Sequence, residues 1–302
     1  MAPMAPRWKF EAVPDVFKDL SELQTDPKDK VTTQPGLGLL SRSYPTDDMH
    51  EKGQQEESDW TRLVRYVAAL NGEASSDVRH KVLYLTRHGV GYHNLKSAEV
   101  GEDAWNNHWS LKDTDGVTTW FDAFLAPEGE TQARELSTFW SALTTSAAHG
   151  APLPQRVYTS PLSRCLQTTE FVYGPLFPKA QFHPIIKEDL RERWTLHTCD
   201  RRRPRSWIAE NWESKGYVLE AGFTEEDELA KKDERCESDA EHGARKQRAL
   251  EDVWNADQGD EFVALVCHSM AIRAILAVVG ANLFRVREGS SIALLVKGTK
   301  MG

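Results

Sequence analysis

Apolar positions along this chain follow two alternating rhythms. Val82, Leu83, Tyr84 and Leu85 form a short, nearly continuous apolar run, and Phe262–Cys267 (FVALVC) forms a second. Runs of this length, rich in β-formers, predict strands covered on both faces, as in a parallel sheet. Elsewhere the apolar residues recur at helical spacing. Trp60, Leu63, Val64, Val67 and Leu70 predict a helix ahead of the first strand. Another helix is expected from about Thr131 to Ala147, after Pro127 and Gly129. Gln155–Thr159 reads as a strand, with Ser160-Pro161 opening a helix through Phe171. A polar helix near Asp239–Ala256, a helix over Ala271–Val279 and a last strand at Ile292–Val296 complete the pattern. The alternation predicts an α/β fold, a three-layer sandwich with a mostly parallel central sheet flanked by helices.

Two stretches break the rhythm. Residues 1–59 are rich in Pro, Gly, Ser, Thr and charge, and are expected to form an N-terminal arm packing on the core, anchored by Trp8, Phe10 and Phe17. The main domain is then expected over residues 60–302. Within it, residues about 191–240 are arginine-rich first and acidic afterwards, with Trp194, Trp207, Trp212 and Phe223 scattered through, which suggests an inserted cap segment.

Composition narrows the function classes. The chain has 302 residues, 40% hydrophobic and 27% charged, as in ordinary soluble proteins. A net charge of −9 argues against general affinity for nucleic acid or anionic membrane. The run Arg191–Arg205 holds six arginines, but the acidic stretch Glu225–Glu234 can neutralise it, so nucleic acid is not expected as a partner. The amino terminus lacks a continuous apolar stretch, and no window is long enough to span a bilayer, so neither a secretory signal nor a membrane partner is expected. Four widely spaced cysteines without a C-x-x-C pair suggest a reduced, cytoplasmic protein without structural zinc.

The candidate chemistry sits at the strand ends. The first strand terminates in Arg87-His88-Gly89, and the second apolar run in His268. If the strands are parallel, both histidines leave the same edge of the sheet, where ligands bind in open α/β folds. Arg164, near the start of the helix after Gln155–Thr159, belongs to that edge too, and the helix amino terminus adds partial positive charge. Glu192 supplies a carboxylate.

Taken in this order, the residues resemble the histidine phosphatase superfamily, also called the phosphoglycerate-mutase-like fold. The signature Arg-His-Gly stands at Arg87–Gly89, with an asparagine six residues past the histidine at Asn94. The SPLxRxxQT motif stands at Ser160–Thr168, LxE at Leu190-Arg191-Glu192, and FLAPEGETQA at Phe124–Ala133 is similar to the LTPxGxxQA segment. RHGVGYHN, LHTCDRRRPRSWI, GFTEEDEL and CHSMAIRAIL are similar to segments of fungal phosphomutase-like members. The chain departs from the common pattern at Val90, Ala126 and Met270, and Val90 and Met270 are expected to make the mouth of the site more apolar.

The resemblance implies a phosphatase acting on a phosphomonoester through a phosphohistidine intermediate. It gives His88 as nucleophile, Glu192 as general acid then base, His268 as a further catalytic donor, and Arg87, Asn94 and Arg164 as phosphate ligands. Asp200, Arg202 and Met270 are further possible substrate contacts. Arginine supplies the charge that phosphoryl transfer requires, so no metal and no cofactor is expected. The partner is a small phosphorylated molecule. A phosphomutase using the same site and a non-catalytic module binding phosphorylated ligands are the competing readings, and Glu192 argues against the second.

Overall fold

The computed structural model describes residues 7–26, 28–49, 57–146, 150–231, 235–256 and 259–301. The expected helix end at Ala147, the first six residues of the chain and the last residues of the acidic stretch lie outside these. One seven-stranded sheet carries the fold. Its strands are β1 (Arg7–Ala12), β2 (Val78–Arg87), β3 (Arg156–Thr159), β4 (Ile185–Ile186), β5 (Val218–Leu219), β6 (Phe262–Cys267) and β7 (Ser291–Met301), in the spatial order β1-β7-β2-β6-β3-β4-β5. The neighbours from β2 through β5 are parallel, whereas β7 runs antiparallel to both β1 and β2.

Strand β2 shows how sequence builds the layers. Successive side chains point to opposite faces, and its apolar run is buried on both. Val82 and Tyr84 join one core with Trp60, Leu63 and Val67 of α1 (Asp59–Glu73). Leu136 and Trp140 of α4 (Pro127–Thr145) and Leu166 and Val172 of α5 (Ser163–Tyr173) pack into the same layer. Leu83 and Leu85 face the other way. They meet Ala249, Leu250 and Val253 of α8 (Asp239–Asn255) and Ile272 and Ile275 of α9 (Ser269–Val278). Each such fully buried aliphatic side chain stabilises the fold by about 1.5–3 kcal/mol relative to exposure. The result is a three-layer α/β sandwich.

Local signals set the element ends. Ser238 and Glu241 form a reciprocal capping box that starts α8. Pro127 occupies the first turn of α4, where its missing N–H costs nothing.

Two regions differ from the sequence expectation. The arm is more than an appendage, since β1 completes the sheet edge and Trp8 and Phe10 are buried in the layer under α8 and α9. The segment 191–240 is only partly a cover. Within it α6 (Arg205–Trp212) buries Ile208 and Trp212, β5 extends the sheet, and α7 (Glu228–Lys231) is a single turn. The rest of the cover comes from residues after β2, through α2 (Tyr92–Val100), α3 (Glu102–Asn107) and the following loop. There Trp105 and Trp120 pack with Cys199 in a separate small core. That insertion has no sustained periodicity, so its tryptophans gave no element to predict.

Candidate active site

Register places the two histidines. Arg87 pairs with Cys267 across the parallel β2–β6 ladder, so the next residue of each strand, His88 and His268, leaves the sheet beside the other. Their ring centroids are 5.0 Å apart, at an interplanar angle of 62°. Strand β3 lies on the far side of β6, and its chain runs through Ser160–Leu162 into α5, whose second residue is Arg164. His88, Arg164, His268 and Arg87 are all buried.

His88 has a defined tautomer. Its Nδ1 lies 2.7 Å from the Gly89 carbonyl oxygen, which can only accept. Nδ1 therefore carries the proton, and Nε2 keeps its lone pair. Burial, with Arg164 and Arg87 beside it, holds this imidazole well below the ordinary histidine pKa, so it is neutral. The loop that follows is pinned by the Gly89 N–H donating to Thr168 Oγ1 at 3.1 Å and the Val90 N–H donating to Gln132 Oε1 at 2.9 Å. It also meets α4 backbone to backbone. A Cβ on Gly89 would overlap the Gly129 carbonyl, and one on Gly129 would overlap the backbone of Val90.

The two arginines are fixed at their ends and unmet at their stems. Arg87 donates through Nη1 to the Val286 carbonyl at 2.7 Å and pairs through Nη2 with Glu288 at 2.8 Å. Arg164 donates to the Cys199 carbonyl at 2.6 Å and reaches Asp200 Oδ1 at 3.4 Å. The Nε of each is buried without a partner among the described residues. Buried donors are almost always paired. Two such donors beside neutral imidazoles form a site that an oxyanion satisfies.

The remaining expected residues are distributed around this centre. His268 Nε2 lies 2.8 Å from Ser160 Oγ, which sets its ring. Asn94, in the first turn of α2, accepts from the Gly91 N–H through Oδ1 at 2.9 Å, and its NH2 group has no partner among the described residues. Glu192 sits against the start of α9. Its Oε1 accepts from the N–H groups of Arg193 and Ala271 at 2.9 and 3.0 Å, and its Oε2 accepts from Met270 at 3.1 Å. Burial, then the charge of Asp200, pushes its pKa up, and the amide bonds and Arg164 oppose this only in part. The flanking arginines do not set the balance, because Arg193 pairs with Asp239 and Arg191 with Glu188 and Asp227. For Met270, the backbone N–H is the group tied to the site.

Arg202 is a correction. Its Nε donates to Glu188 at 2.7 Å, and its Nη atoms donate to the carbonyls of Arg203, Thr224, Glu225 and Glu226 and to Thr224 Oγ1. Every N–H is spent on Glu188, the Arg203 carbonyl and residues 224–226, so none is left for a substrate. Asp200 is likewise engaged, accepting from Arg164 and, through Oδ2, from Thr195 Oγ1 at 2.6 Å.

His197, Cys199 and Asp200 bring three ligand atoms within 4.8 Å of one another. The set does not suit a cation. Asp200 already faces the Arg164 guanidinium, and burial, reinforced by Asp200, keeps the Cys199 thiol protonated.

Two neighbours were not anticipated. Glu288, which holds Arg87, lies in a loop without a motif. His93 has its ring 5.6 Å from that of His88 and its Nδ1 buried without a partner among the described residues. Its adjacency to Asn94 in Tyr92-His93-Asn94 was the available signal.

Comparison with known proteins gives the family. Residues 83–287 match the histidine phosphatase superfamily (branch 1). A probable phosphoglycerate mutase of Arthroderma benhamiae is 37% identical over 298 residues, spanning 98% of this chain and 86% of that protein. The probable phosphoglycerate mutase PMU1 of Saccharomyces cerevisiae is 31% identical, spanning 72% of this chain and 79% of its own. Among solved structures, a phosphoglycerate mutase from Bacillus anthracis is 17% identical with a TM-score of 0.45, covering 72% of this chain and 89% of that one. This chain belongs to the histidine phosphatase superfamily.

Proposed function

We propose that the protein is a phosphomonoesterase that works through a phosphorylated His88. The observation that carries this reading is the pair of buried, unpartnered Nε donors on Arg87 and Arg164 beside a neutral imidazole whose Nε2 lone pair is free. Phosphoryl transfer asks mainly for positioning and charge stabilisation. His88 Nε2 attacks phosphorus, while the two guanidinium groups, His268 and the Asn94 amide hold the non-bridging oxygens. Glu192, whose pKa burial has raised, protonates the departing oxygen. Once ionised, it accepts the proton of the water that cleaves the phosphohistidine. The arginines supply the positive charge, so the chemistry needs no metal.

The same steps serve a mutase, and the relatives named above carry that name. A mutase must also hold a second phosphate while the intermediate bisphosphate reorients. Three arginines of the covering segment are committed: Arg202 to residues 188 and 224–226, Arg191 to two carboxylates, and Arg203 to Asp122 at 3.4 Å and to the rings of Phe121, Phe124 and Trp207. This favours water as the acceptor.

The test is a rapid-quench incubation with 32P-labelled phosphomonoesters. Acid-labile, base-stable label should appear on the wild type and be absent from His88→Ala, and the label should leave as inorganic phosphate. Label on another residue type would overturn the nucleophile. Quantitative return of label to an added alcohol would overturn the hydrolase.

A further inference from the structure

The superfamily match begins at residue 83 and ends at residue 287. Two charged groups outside it nevertheless meet at the phosphate arginine. Glu288 Oε1 accepts from Arg87 Nη2 at 2.8 Å, and the same oxygen accepts from Lys30 Nζ at 2.7 Å. Lys30 belongs to the N-terminal arm, 258 residues away along the chain. We propose that Lys30 and Glu288 are positioning residues for Arg87, so that docking of the arm sets the anion affinity of the site. The inference rests on the phosphoryl-transfer reading above.

The charge arrangement gives the reason. Arg87 alone with Glu288 would be a closed ion pair, and phosphate would have to compete with the carboxylate for the guanidinium. A lysine on the same oxygen draws part of that negative charge away and leaves Arg87 effectively cationic toward a ligand. Burial opposes ionisation of Glu288, yet Arg87 and then Lys30 hold its carboxyl below the usual range, so the three charges persist together. Lys30 is also near enough to act on His88, whose imidazole it disfavours in the charged form.

The backbone around Lys30 is built to deliver it. The Val31 N–H donates to the Arg285 carbonyl at 2.7 Å, and the Arg287 N–H returns to the Val31 carbonyl at 2.8 Å, in a parallel bridge between Val31 and Val286. The Ser291 N–H donates to Thr33 Oγ1 at 2.9 Å. The loop so clamped carries the Val286 carbonyl that holds Arg87 Nη1, and its Gly289 N–H donates to the His88 carbonyl at 3.0 Å. Arm, loop and catalytic strand end thus form one connected unit.

The experiment is a double-mutant cycle read as the dissociation constant of orthovanadate, an oxyanion analogue of the transferring phosphoryl group. The Lys30 side chain is 34% exposed, so Lys30→Met should fold as the wild type does. Lys30→Met should weaken vanadate binding roughly three- to tenfold, and Lys30→Arg should restore it. In a Glu288→Gln background Lys30→Met should have no further effect, because its target is gone. Wild-type binding retained in Lys30→Met, or an equal loss in both backgrounds, would overturn the inference while leaving the phosphoryl-transfer reading in place. Failure of the wild type to bind the oxyanion at all would overturn both.

Discussion

Arg164 and Arg202 are both buried, the first in a helix start with no other charge near it in sequence and the second in a segment dense in charge. Their donors go to different ends. Arg202 spends all of its N–H groups on one carboxylate and a cluster of loop carbonyls and a hydroxyl, so that a turn without regular structure is held as firmly as a helix. Arg164 is braced by one carbonyl and one distant carboxylate oxygen and keeps a buried Nε unmet. Arg164, at the rim of the sheet, therefore keeps a donor unsatisfied, whereas Arg202 has none left. Of these two arginines, the one with a donor left over is placed to meet a ligand, and the saturated one holds the scaffold.

Substitutions at the two regions should separate along that line. The largest effect belongs to the rim. His88→Ala should reduce phosphatase turnover to background while thermal unfolding stays close to wild type, because the side chain stands past the strand end. Next is Arg164→Ala, which should cost about 2–5 kcal/mol in kcat/KM, the range for removing one partner of a desolvated charge contact. Arg164→Lys should recover only part of it. Arg202→Met should do the reverse, destabilising the fold by about 3–5 kcal/mol, the cost of breaking a buried ion pair. The kcat of its folded fraction should then remain near wild type. If Arg202→Met instead raised KM with stability unchanged, the distinction between saturated and unsaturated arginines would fail.

Glu192 lies between the two regions, and its test is finer. It accepts from two amides of α9, those of Met270 and Ala271, and from the Arg193 amide, so Glu192→Gln should preserve much of that contact while removing the proton. In single-turnover bursts an alkyl phosphate should slow far more than an aryl phosphate, whose leaving group needs little protonation. Equal slowing of both would make Glu192 a brace for α9 and His268, and the acid would lie elsewhere. The smallest effect is on pH. Burial depresses the His88 pKa, so protonation of the nucleophile should switch activity off only well below pH 6.5. The raised Glu192 pKa should place the alkaline decline of alkyl ester turnover above the ordinary carboxylate range, and Glu192→Gln should abolish that limb. Rate profiles from pH 4 to 9 would show both.

Much of the rim was legible in the sequence because strand periodicity and motif coincide there. A buried strand followed at once by Arg-His-Gly leaves one place for those side chains, and the parallel register puts His268 beside them. The partners of Arg87 were not legible. Glu288 and Lys30 meet only through tertiary docking, and neither lies in an apolar pattern. The arm read as irregular because β1 is six residues long, at a sheet edge, with polar residues alternating toward solvent. The cover misled for a related reason. Arginine density near Glu192 suggested ligand contacts, but density does not show how many acceptors each guanidinium will meet, and for Arg202 the acceptors were carbonyls more than twenty residues away.

The contact between Gly89 and Gly129 bears on how this site can change over generations. A methyl group on Gly89 would push the Gly129 backbone and one on Gly129 would push the backbone of Val90, so two codons forty positions apart are constrained by one contact. A variant at either is exposed to selection at once, with no second-site side chain to trim in compensation, because the clash in each case is with backbone. Diversification of the enzyme is thereby steered away from the nucleophile's loop toward the tryptophan-rich insertion and the turn around Cys199. There side chains meet side chains, and one replacement can be answered by another.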